Sequence, residues 1–255
     1  MDVPVSGPRA PHPTHTDGWA APERELHPPR SFDGLDPINI EGRRAVGPSA
    51  GFGQMWEKTY TFAFAPGGPP PELVIARWKE RFGDLWPAKN EFKARSRMAA
   101  GDVGVAKLAL PGGFELRTGM FVLSSSERSF TLLTPQGHMY AGWITFSAER
   151  EQGRTVARVQ TVLRSGDPLY ELGMLLGAHG REDQFWKTTL QNLGLEFGES
   201  HPVRLWRVRL DRRRQWRKLT NTWYNAAVRT QLHRLASPLR WLRRRGTRRH
   251  TPKHA

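Results

Sequence analysis

Two histidines are the residues of this sequence best placed to take part in proton transfer. His138 opens a strand-like segment after the turn residues 135–137, and His179 lies within a long helical segment close to Glu182 and Asp183. A histidine paired with a carboxylate can act as a general base. The neighbouring glycines allow a plainer interpretation, in which His179 marks a break in the helix and is exposed to solvent. The two acidic residues would then only stabilise the start of the next helical part.

No other catalytic signature is present. The sequence has no Gly-x-Ser-x-Gly turn, no phosphate-binding loop, no His-Glu-x-x-His motif and no dinucleotide fingerprint. The absence of cysteine excludes disulfides, a thiolate nucleophile and cysteine metal sites. The spacing of His12, His15 and His27 fits neither a helix nor a hairpin. We therefore expect neither a metal nor another cofactor, and we expect binding rather than catalysis.

The segment from Gly166 to Gly198 must position these candidates. Asp167 can cap a helix through its carboxylate, Pro168 suits the first helical position, and Gly198 can end the helix in the left-handed conformation. Apolar residues recur between these ends at helical spacing. We expect them to form one buried face: Leu172, Leu175, Leu176, Trp186, Leu190, Leu193 and Phe197.

The sequence between Met55 and Ser165 mostly alternates between apolar and polar residues, which is typical of strands. A short helix after Pro71 interrupts it, and about six strands with short turns follow. Short turns favour an antiparallel arrangement, because parallel neighbours need longer crossovers. We therefore predict an α+β fold in which a curved antiparallel sheet of about seven strands wraps around the long C-terminal helix. In the first strand one face is formed by Trp56, Lys58, Tyr60, Phe62 and Phe64.

This order of elements resembles the helix-grip fold of the SRPBCC superfamily, which includes START lipid-transfer domains, birch-pollen-type plant allergens and bacterial polyketide cyclases. Two short motifs carry the resemblance. Residues 134–143 read Thr-Pro-Gln-Gly-His-Met-Tyr-Ala-Gly-Trp, and residues 164–173 read Arg-Ser-Gly-Asp-Pro-Leu-Tyr-Glu-Leu-Gly. The likeness covers roughly residues 51–198, and it is closest to an uncharacterised bacterial group of the superfamily. It implies a cavity between sheet and helix, where many members bind apolar ligands and some catalyse cyclisation or hydrolysis.

Six residues are candidates for the wall of such a cavity. An inward-facing Arg117 could hold a ligand carboxylate through two hydrogen bonds, although an arginine on a solvated strand face is the commoner arrangement. Bulky tryptophans could equally fill the space, since the chain has 10 of them. A ligand pocket and a fully packed core therefore both stay open. The six candidates are Arg117, Phe121, Trp143, Val159, Thr161 and Trp186.

The two ends of the chain differ in composition. Residues 1–50 hold nine of the 20 prolines and few clustered apolar residues, so we predict a disordered segment that cannot offset its ordering entropy. Residues 51–200 form the expected helix-grip domain, with little net charge. The tail, residues 201–255, contains 17 Lys and Arg against one acid, Asp211, and it accounts for the net charge of +15. We expect this tail to be partly helical.

The basic tail predicts an anionic partner. Near an anionic membrane each cation contributes about 1 kcal/mol, and tryptophan favours the headgroup region. On nucleic acid the same cations would release counterions and the indole rings could stack on bases. An apolar stripe between Trp223 and Leu242 favours a membrane or a protein partner, but it could also pack on the domain. The candidate contact residues are Arg212, Arg213, Arg214, Trp216, Arg217, Trp241, Arg243, Arg244 and Arg245.

We therefore expect a module that binds an apolar small molecule or lipid in an internal cavity and attaches through its tail to an anionic membrane surface. The alternatives are a cyclase- or hydrolase-like enzyme with His138 or His179 as base, and a nucleic-acid-associated protein. The N-terminus lacks a signal-peptide pattern, and no apolar stretch reaches the ~18 residues that span a bilayer. This predicts a cytoplasmic location, with peripheral attachment at the inner face of the membrane. The sequence does not indicate an oligomeric state.

Overall fold

The computed structural model describes residues 18–20, 25–28 and 37–236 of the 255-residue chain. These residues form one antiparallel sheet in the order β3-β4-β5-β6-β7-β8-β2-β9, and β1 pairs with β6. The strands are β1 (Ala45–Val46), β2 (Met55–Pro66), β3 (Glu91–Lys93), β4 (Val103–Ala109), β5 (Glu115–Ser125), β6 (Ser129–Pro135), β7 (Tyr140–Glu151), β8 (Arg154–Ser165) and β9 (Arg204–Asp211). The α-helices are α1 (Pro71–Glu80), α2 (Pro168–Gly173), α3 (His179–Leu195) and α4 (Ala226–Leu235). The curved sheet and the long C-terminal helix agree with the predicted α+β helix-grip architecture.

The main core lies between one face of the sheet and helices α1 and α3. Its aromatic side chains pack closely, and the rings of Phe130 and Phe146 stack with centroids 4.6 Å apart. The alternation predicted for β2 is confirmed, because Tyr60, Phe62 and Phe64 belong to this core. Lys58 shares their face and is buried with them. We call this the inner face of the sheet.

The long helix begins as the sequence predicts. The Asp167 carboxylate accepts hydrogen bonds from the backbone N–H groups of Leu169 and Tyr170, at 2.8 and 3.1 Å. Pro168 occupies the first helical position, and Gly198 adopts a φ of +73° after the end of α3. Both predicted ends of the helical segment are therefore confirmed.

A π-helical turn at Met174–Ala178 separates α2 from α3, and Gly177 has a φ of +101° within it. A π-turn inserts one extra residue into the helical repeat, so the side chains that follow it are rotated relative to those before it. Trp186, Leu190 and Leu193 reach the core. The prediction of a single buried face is wrong for Leu172 in α2 and for Leu175 and Leu176 in the π-turn, since all three are exposed.

The outer face of the sheet carries a smaller apolar cluster, to which the N-terminal part of the chain contributes. Leu26 and Ile40 are fully buried there against Val103, Val105 and Phe121. The described residues before Gly51 are therefore packed on the sheet, whereas the sequence predicted a disordered segment. The remainder of that segment lies outside the described residues.

The basic tail begins as part of the sheet. Strand β9 pairs with the first half of β2, from Met55↔Asp211 to Thr61↔Arg204. A 3₁₀ helix at Trp216–Tyr224 follows, and α4 then packs against β5. The Thr230 hydroxyl of α4 accepts a hydrogen bond from the backbone N–H of Arg117, at 3.1 Å. Strands β1 and β9 raise the strand count from the predicted seven to nine, and the folded part continues past residue 200.

Candidate functional site

A cavity of about 330 Å³ lies between the inner face of the sheet and helix α3. This volume falls at the lower end of the ~300–1,000 Å³ range of small-molecule sites. Its wall is mainly apolar and aromatic. The central wall residues are Trp86, Met120, Ile144, Leu163, Phe185 and Trp186.

A second cavity of about 450 Å³ adjoins the first on the side of the π-turn. Both cavities are lined by Met139, Tyr140, Ala178 and Arg181. The outer wall of the second cavity includes Val228 and neighbouring residues of α4. Helix α4 therefore forms part of the wall of the second cavity, although it follows the predicted domain, residues 51–200, in the sequence. We refer to the first volume as the main cavity.

One end of the main cavity carries a buried group of charged and hydroxyl side chains. The Lys58 ammonium lies 2.7 Å from Glu182 Oε2 and 2.8 Å from Asp183 Oδ1, and only 2% of the Lys58 side chain is exposed. The Tyr60 hydroxyl donates to Asp183 Oδ1 at 2.7 Å, and the Tyr140 hydroxyl donates to Glu182 Oε2 at 3.3 Å. Buried charges need such partners, because an isolated ion is costly to remove from water. Glu182 and Asp183 thus do more than support the start of α3, since they pair with a lysine of β2.

The two carboxylates differ in their electrostatic surroundings. Burial raises the pKa of Glu182 above its ordinary value, in spite of the adjacent Lys58. Burial alone would also raise the pKa of Asp183, but hydrogen bonds from Lys58 and Tyr60 hold it below the ordinary value. Burial and the nearby Glu182 raise the pKa of Tyr140, so its hydroxyl stays protonated and can donate.

One carboxylate oxygen of Glu182, Oε1, is available to accept a further hydrogen bond. Only 6% of its side chain is exposed, and Oε1 has no hydrogen-bond partner among the described residues. Glu182 also lines the main cavity, beside Tyr140. The cavity is therefore apolar over most of its wall, with a hydrogen-bond acceptor at one end. This combination suits a small molecule with an apolar body and one polar group.

His138 does not form the predicted pair with a carboxylate. Its Nδ1 accepts a hydrogen bond from the backbone N–H of Tyr140 at 3.0 Å, and the ring is buried in the cavity wall. Burial lowers the pKa of His138 to about 4, so the ring is neutral at pH 7. Within the described part of the chain, Nε2 has no partner.

His179 is also without a carboxylate partner among the described residues, and its Nδ1 is buried. Its ring packs edge-on against Trp56, with centroids 5.1 Å apart. Burial, with Lys58 as the next cause, lowers the pKa of His179 to about 4. The predicted break in the helix is confirmed, but His179 is half-buried rather than fully exposed to solvent.

Three of the six predicted wall residues face away from the main cavity. Phe121 packs in the outer-face cluster, and Arg117 bonds to Glu115 at 3.0 Å from Nε. Trp143 precedes the wall residue Ile144 on the same strand, so its side chain points to the opposite face. The expectation that these three residues line the cavity is wrong, and Arg117 cannot bind a ligand carboxylate inside it.

The other three predicted wall residues lie on the inner side. Trp186 lines the main cavity, and Val159 is buried in the adjoining core. Thr161 lines a third volume of about 10 Å³ behind Lys58 and Glu182. The sequence reasoning missed Lys58, although a lysine within an alternating run of aromatic residues is a sign that it needs a buried partner.

The tail residues within the described range form a cationic surface with exposed indole rings. Arg212, Arg213 and Arg217 are exposed, whereas Arg214 bonds to Glu171 at 3.0 Å from Nε. Trp216 is 66% exposed and packs edge-on against Phe52, and Trp223 is 82% exposed. The predicted contact residues Trp241, Arg243, Arg244 and Arg245 lie outside the described residues.

Two negative observations apply to the described ranges 18–20, 25–28 and 37–236. None of their helices is both long enough and apolar enough to cross a bilayer. No three of their histidine or acidic side chains come together as a metal site.

The chain is similar in fold to several solved structures at low sequence identity. Protein Ms6760 from Mycobacterium smegmatis is 12% identical, with a TM-score of 0.40 over 57% of this chain and 92% of that one. Protein NE0264 from Nitrosomonas europaea is 14% identical, with a TM-score of 0.38 over 53% and 90%. Major latex-like protein 151 from Panax ginseng is 7% identical, with a TM-score of 0.37 over 58% and 100%. At these values the similarities carry no argument about ligand or activity. No protein-family model matches the chain, and no curated protein matches it.

Proposed function

We propose that this protein binds a hydrophobic small molecule or lipid in its main cavity. The observation that carries this proposal is the mainly apolar volume of about 330 Å³, whose wall includes Glu182 with an acceptor, Oε1, that has no partner among the described residues. A packed core would have no such volume, because protein interiors leave few voids larger than a water molecule.

Binding is favoured over catalysis by the state of the two histidines. A general base needs a pKa near the working pH, whereas burial lowers the pKa of both His138 and His179 to about 4. Neither ring is held by a carboxylate in the described part of the chain. The cyclase- or hydrolase-like alternative therefore loses both of its predicted bases.

The proposal is tested by binding of Nile red, an uncharged apolar dye, to the full-length chain. Ala178 lies where the two cavities meet and is partly exposed, so Ala178→Trp would fill the space without forcing a large side chain into the core. Leu175→Trp is the matched control, because Leu175 lies on the same π-turn but is exposed and absent from both cavity walls.

We expect saturable dye binding in the wild type and in Leu175→Trp, and a loss of about ten-fold or more in affinity in Ala178→Trp. Equal binding by all three proteins would place the dye outside the two cavities. That result would refute the cavity proposal, and so would the absence of saturable binding in the wild type.

We further propose that the tail attaches the protein to an anionic membrane surface. The supporting observation is the exposure of Trp216 and Trp223 in the same segment as the exposed Arg212, Arg213 and Arg217. Indole rings favour the headgroup region, and clustered arginines are attracted to anionic lipids. The remaining basic residues of the tail add to this charge in the sequence.

Co-sedimentation with vesicles tests this attachment. The full-length protein should bind phosphatidylserine-containing vesicles and not pure phosphatidylcholine vesicles, and Trp216→Ala with Trp223→Ala should weaken binding by about ten-fold. Trp143→Ala is unsuitable as a control because that side chain is partly buried, whereas Trp19 is exposed and lies in a different segment. Trp19→Ala should leave vesicle binding unchanged. Tight, salt-sensitive binding to DNA without vesicle binding would instead support the nucleic-acid alternative.

A further inference from the structure

We infer that the main cavity, at Glu182, selects ligands with a polar group that donates a hydrogen bond, such as a hydroxyl or a protonated amine. It rejects carboxylates there. This inference rests on the proposed ligand-binding function. It adds the chemical class of the ligand to it.

The first argument is the distribution of partners around Glu182. Lys58 and Tyr140 both bond to Oε2, at 2.7 and 3.3 Å. Oε1 is buried without a partner among the described residues, and this arrangement is costly because the acceptor has lost its hydrogen bonds with water. A ligand hydroxyl or amine next to Oε1 would remove this cost. A deprotonated carboxylate has no hydrogen to donate, so it could not do so.

The second argument is the balance of buried charge. Lys58 is a single buried cation shared by Glu182 and Asp183. The next cation, Arg207, lies 3.7 Å from Asp183 and is mostly exposed to solvent, which weakens its contribution. When Glu182 is ionised, the buried group holds two carboxylates for one buried cation. A ligand carboxylate at this end would add a third negative charge where screening is weak, while an ammonium group would neutralise the excess.

The wall shared by the two cavities also carries a positive charge, that of Arg181. Arg181 is exposed on α3 and lines both cavities where they meet. A carboxylate would therefore be more stable near Arg181 than near Glu182. An amphipathic ligand held by a donor group at Glu182 would direct its apolar body toward the aromatic wall formed by Phe185 and Trp186.

Three probes with the same aromatic body distinguish these head groups. Naphthylmethanol, naphthylmethylamine and naphthoate are titrated at pH 7 into the full-length wild-type protein and into Glu182→Gln, by isothermal titration calorimetry. In the wild type we expect the alcohol and the amine to bind about ten-fold or more tightly than naphthoate. Glu182→Gln keeps the shape and one acceptor oxygen, so it should weaken the amine by about ten-fold and change the alcohol by less than about three-fold.

The outcomes separate the inference from the function on which it rests. Equal affinity for the three probes in the wild type would overturn the donor-group inference, while a loss of binding in Ala178→Trp would still support the cavity. Tighter binding of naphthoate would also overturn it. No binding of any probe would overturn both the inference and the proposed function. The wild-type ranking does not depend on the variant, so a folding defect in Glu182→Gln would not prevent the test.

Discussion

Replacing Lys58 by Met removes the cation that holds two buried carboxylates together. Met has a similar length and leaves little empty space, so the change isolates the charge. Glu182 and Asp183 would lose hydrogen bonds of 2.7 and 2.8 Å, at a site where the lysine side chain is only 2% exposed. Removing one partner of a buried ion pair typically costs about 3–5 kcal/mol. This is a large part of the roughly 5–15 kcal/mol that stabilises a domain.

The assay is urea unfolding of the full-length wild type and Lys58→Met, compared at pH 7 and pH 5. Without Lys58, the pKa of Asp183 in the folded state should rise above its unfolded value, and the pKa of Glu182, which burial already raises, should rise further. Groups of this kind stabilise the folded state at low pH, and that stability is lost as pH rises through the folded pKa. The deficit of about 3–5 kcal/mol at pH 7 should therefore shrink at pH 5.

Lys107→Met is the matched control, because Lys107 pairs with Glu91 at a more exposed position on the sheet edge. Its effect should be about 0–1 kcal/mol. The reasoning is refuted if Lys58→Met costs no more than Lys107→Met at pH 7, or if its deficit grows as the pH falls.

Three further predictions concern stability. The pKa of His138 is lowered to about 4, so as the pH falls below about 6.5 the unfolded chain binds a proton first and the folded state loses up to about 3 kcal/mol of stability. His138→Asn keeps an acceptor for the backbone N–H and should reduce this pH dependence in urea titrations at pH 7 and 4.5. An unchanged pH dependence would contradict the prediction. Asp167→Ala should lower the free energy of unfolding by about 1–2 kcal/mol because the helix cap is lost, and Asp84→Ala, at an exposed position, should lower it by less than about 0.5 kcal/mol. Equal decreases in melting temperature for the two variants would argue against the cap. Gly177→Ala should lower the free energy of unfolding by about 1 kcal/mol because Gly177 has a φ of +101°, whereas Gly180→Ala in α3 should raise it by a similar amount. If chemical denaturation shows that both variants change stability in the same direction, the assigned turn is contradicted.

Local chemistry explains why much of the fold could be predicted from the sequence. The cap formed by Asp167, the proline after it and the glycine-rich break near Gly177 each depend on residues close in sequence. The inner face of β2 follows from its alternation, since one side of that strand carries the aromatic residues Tyr60, Phe62 and Phe64. These features needed no knowledge of distant contacts.

The wall of the cavity could not be assigned by the same reasoning. Strand β5 carries apolar residues on both faces, because Phe121 packs with Leu26 and Ile40 while Met120 lines the cavity. Alternation identifies a strand of this kind, but it does not say which face is inside. The choice depends on a distant N-terminal segment whose composition suggested disorder.

The polar end of the site was missed because its members are far apart in the chain. Lys58 and Glu182 are separated by 124 residues, and only the packing of α3 across β2 brings them together. The π-turn also had to rotate α3 into the right orientation. The arginines of β9 likewise concealed an edge strand, whose partner β2 lies far away in sequence.

Methyl NMR of the full-length protein during a titration with naphthylmethanol tests the central claim most directly, because it reports where the ligand lies. The account predicts intermolecular contacts and the largest shifts at Met120, Ile144 and Leu163, which line the main cavity. Leu172 and Leu175, which are exposed before α3, should change little. Shifts confined to these two leucines, with the cavity methyl groups unchanged, would contradict the claim that the protein binds its ligand in the main cavity between the sheet and α3.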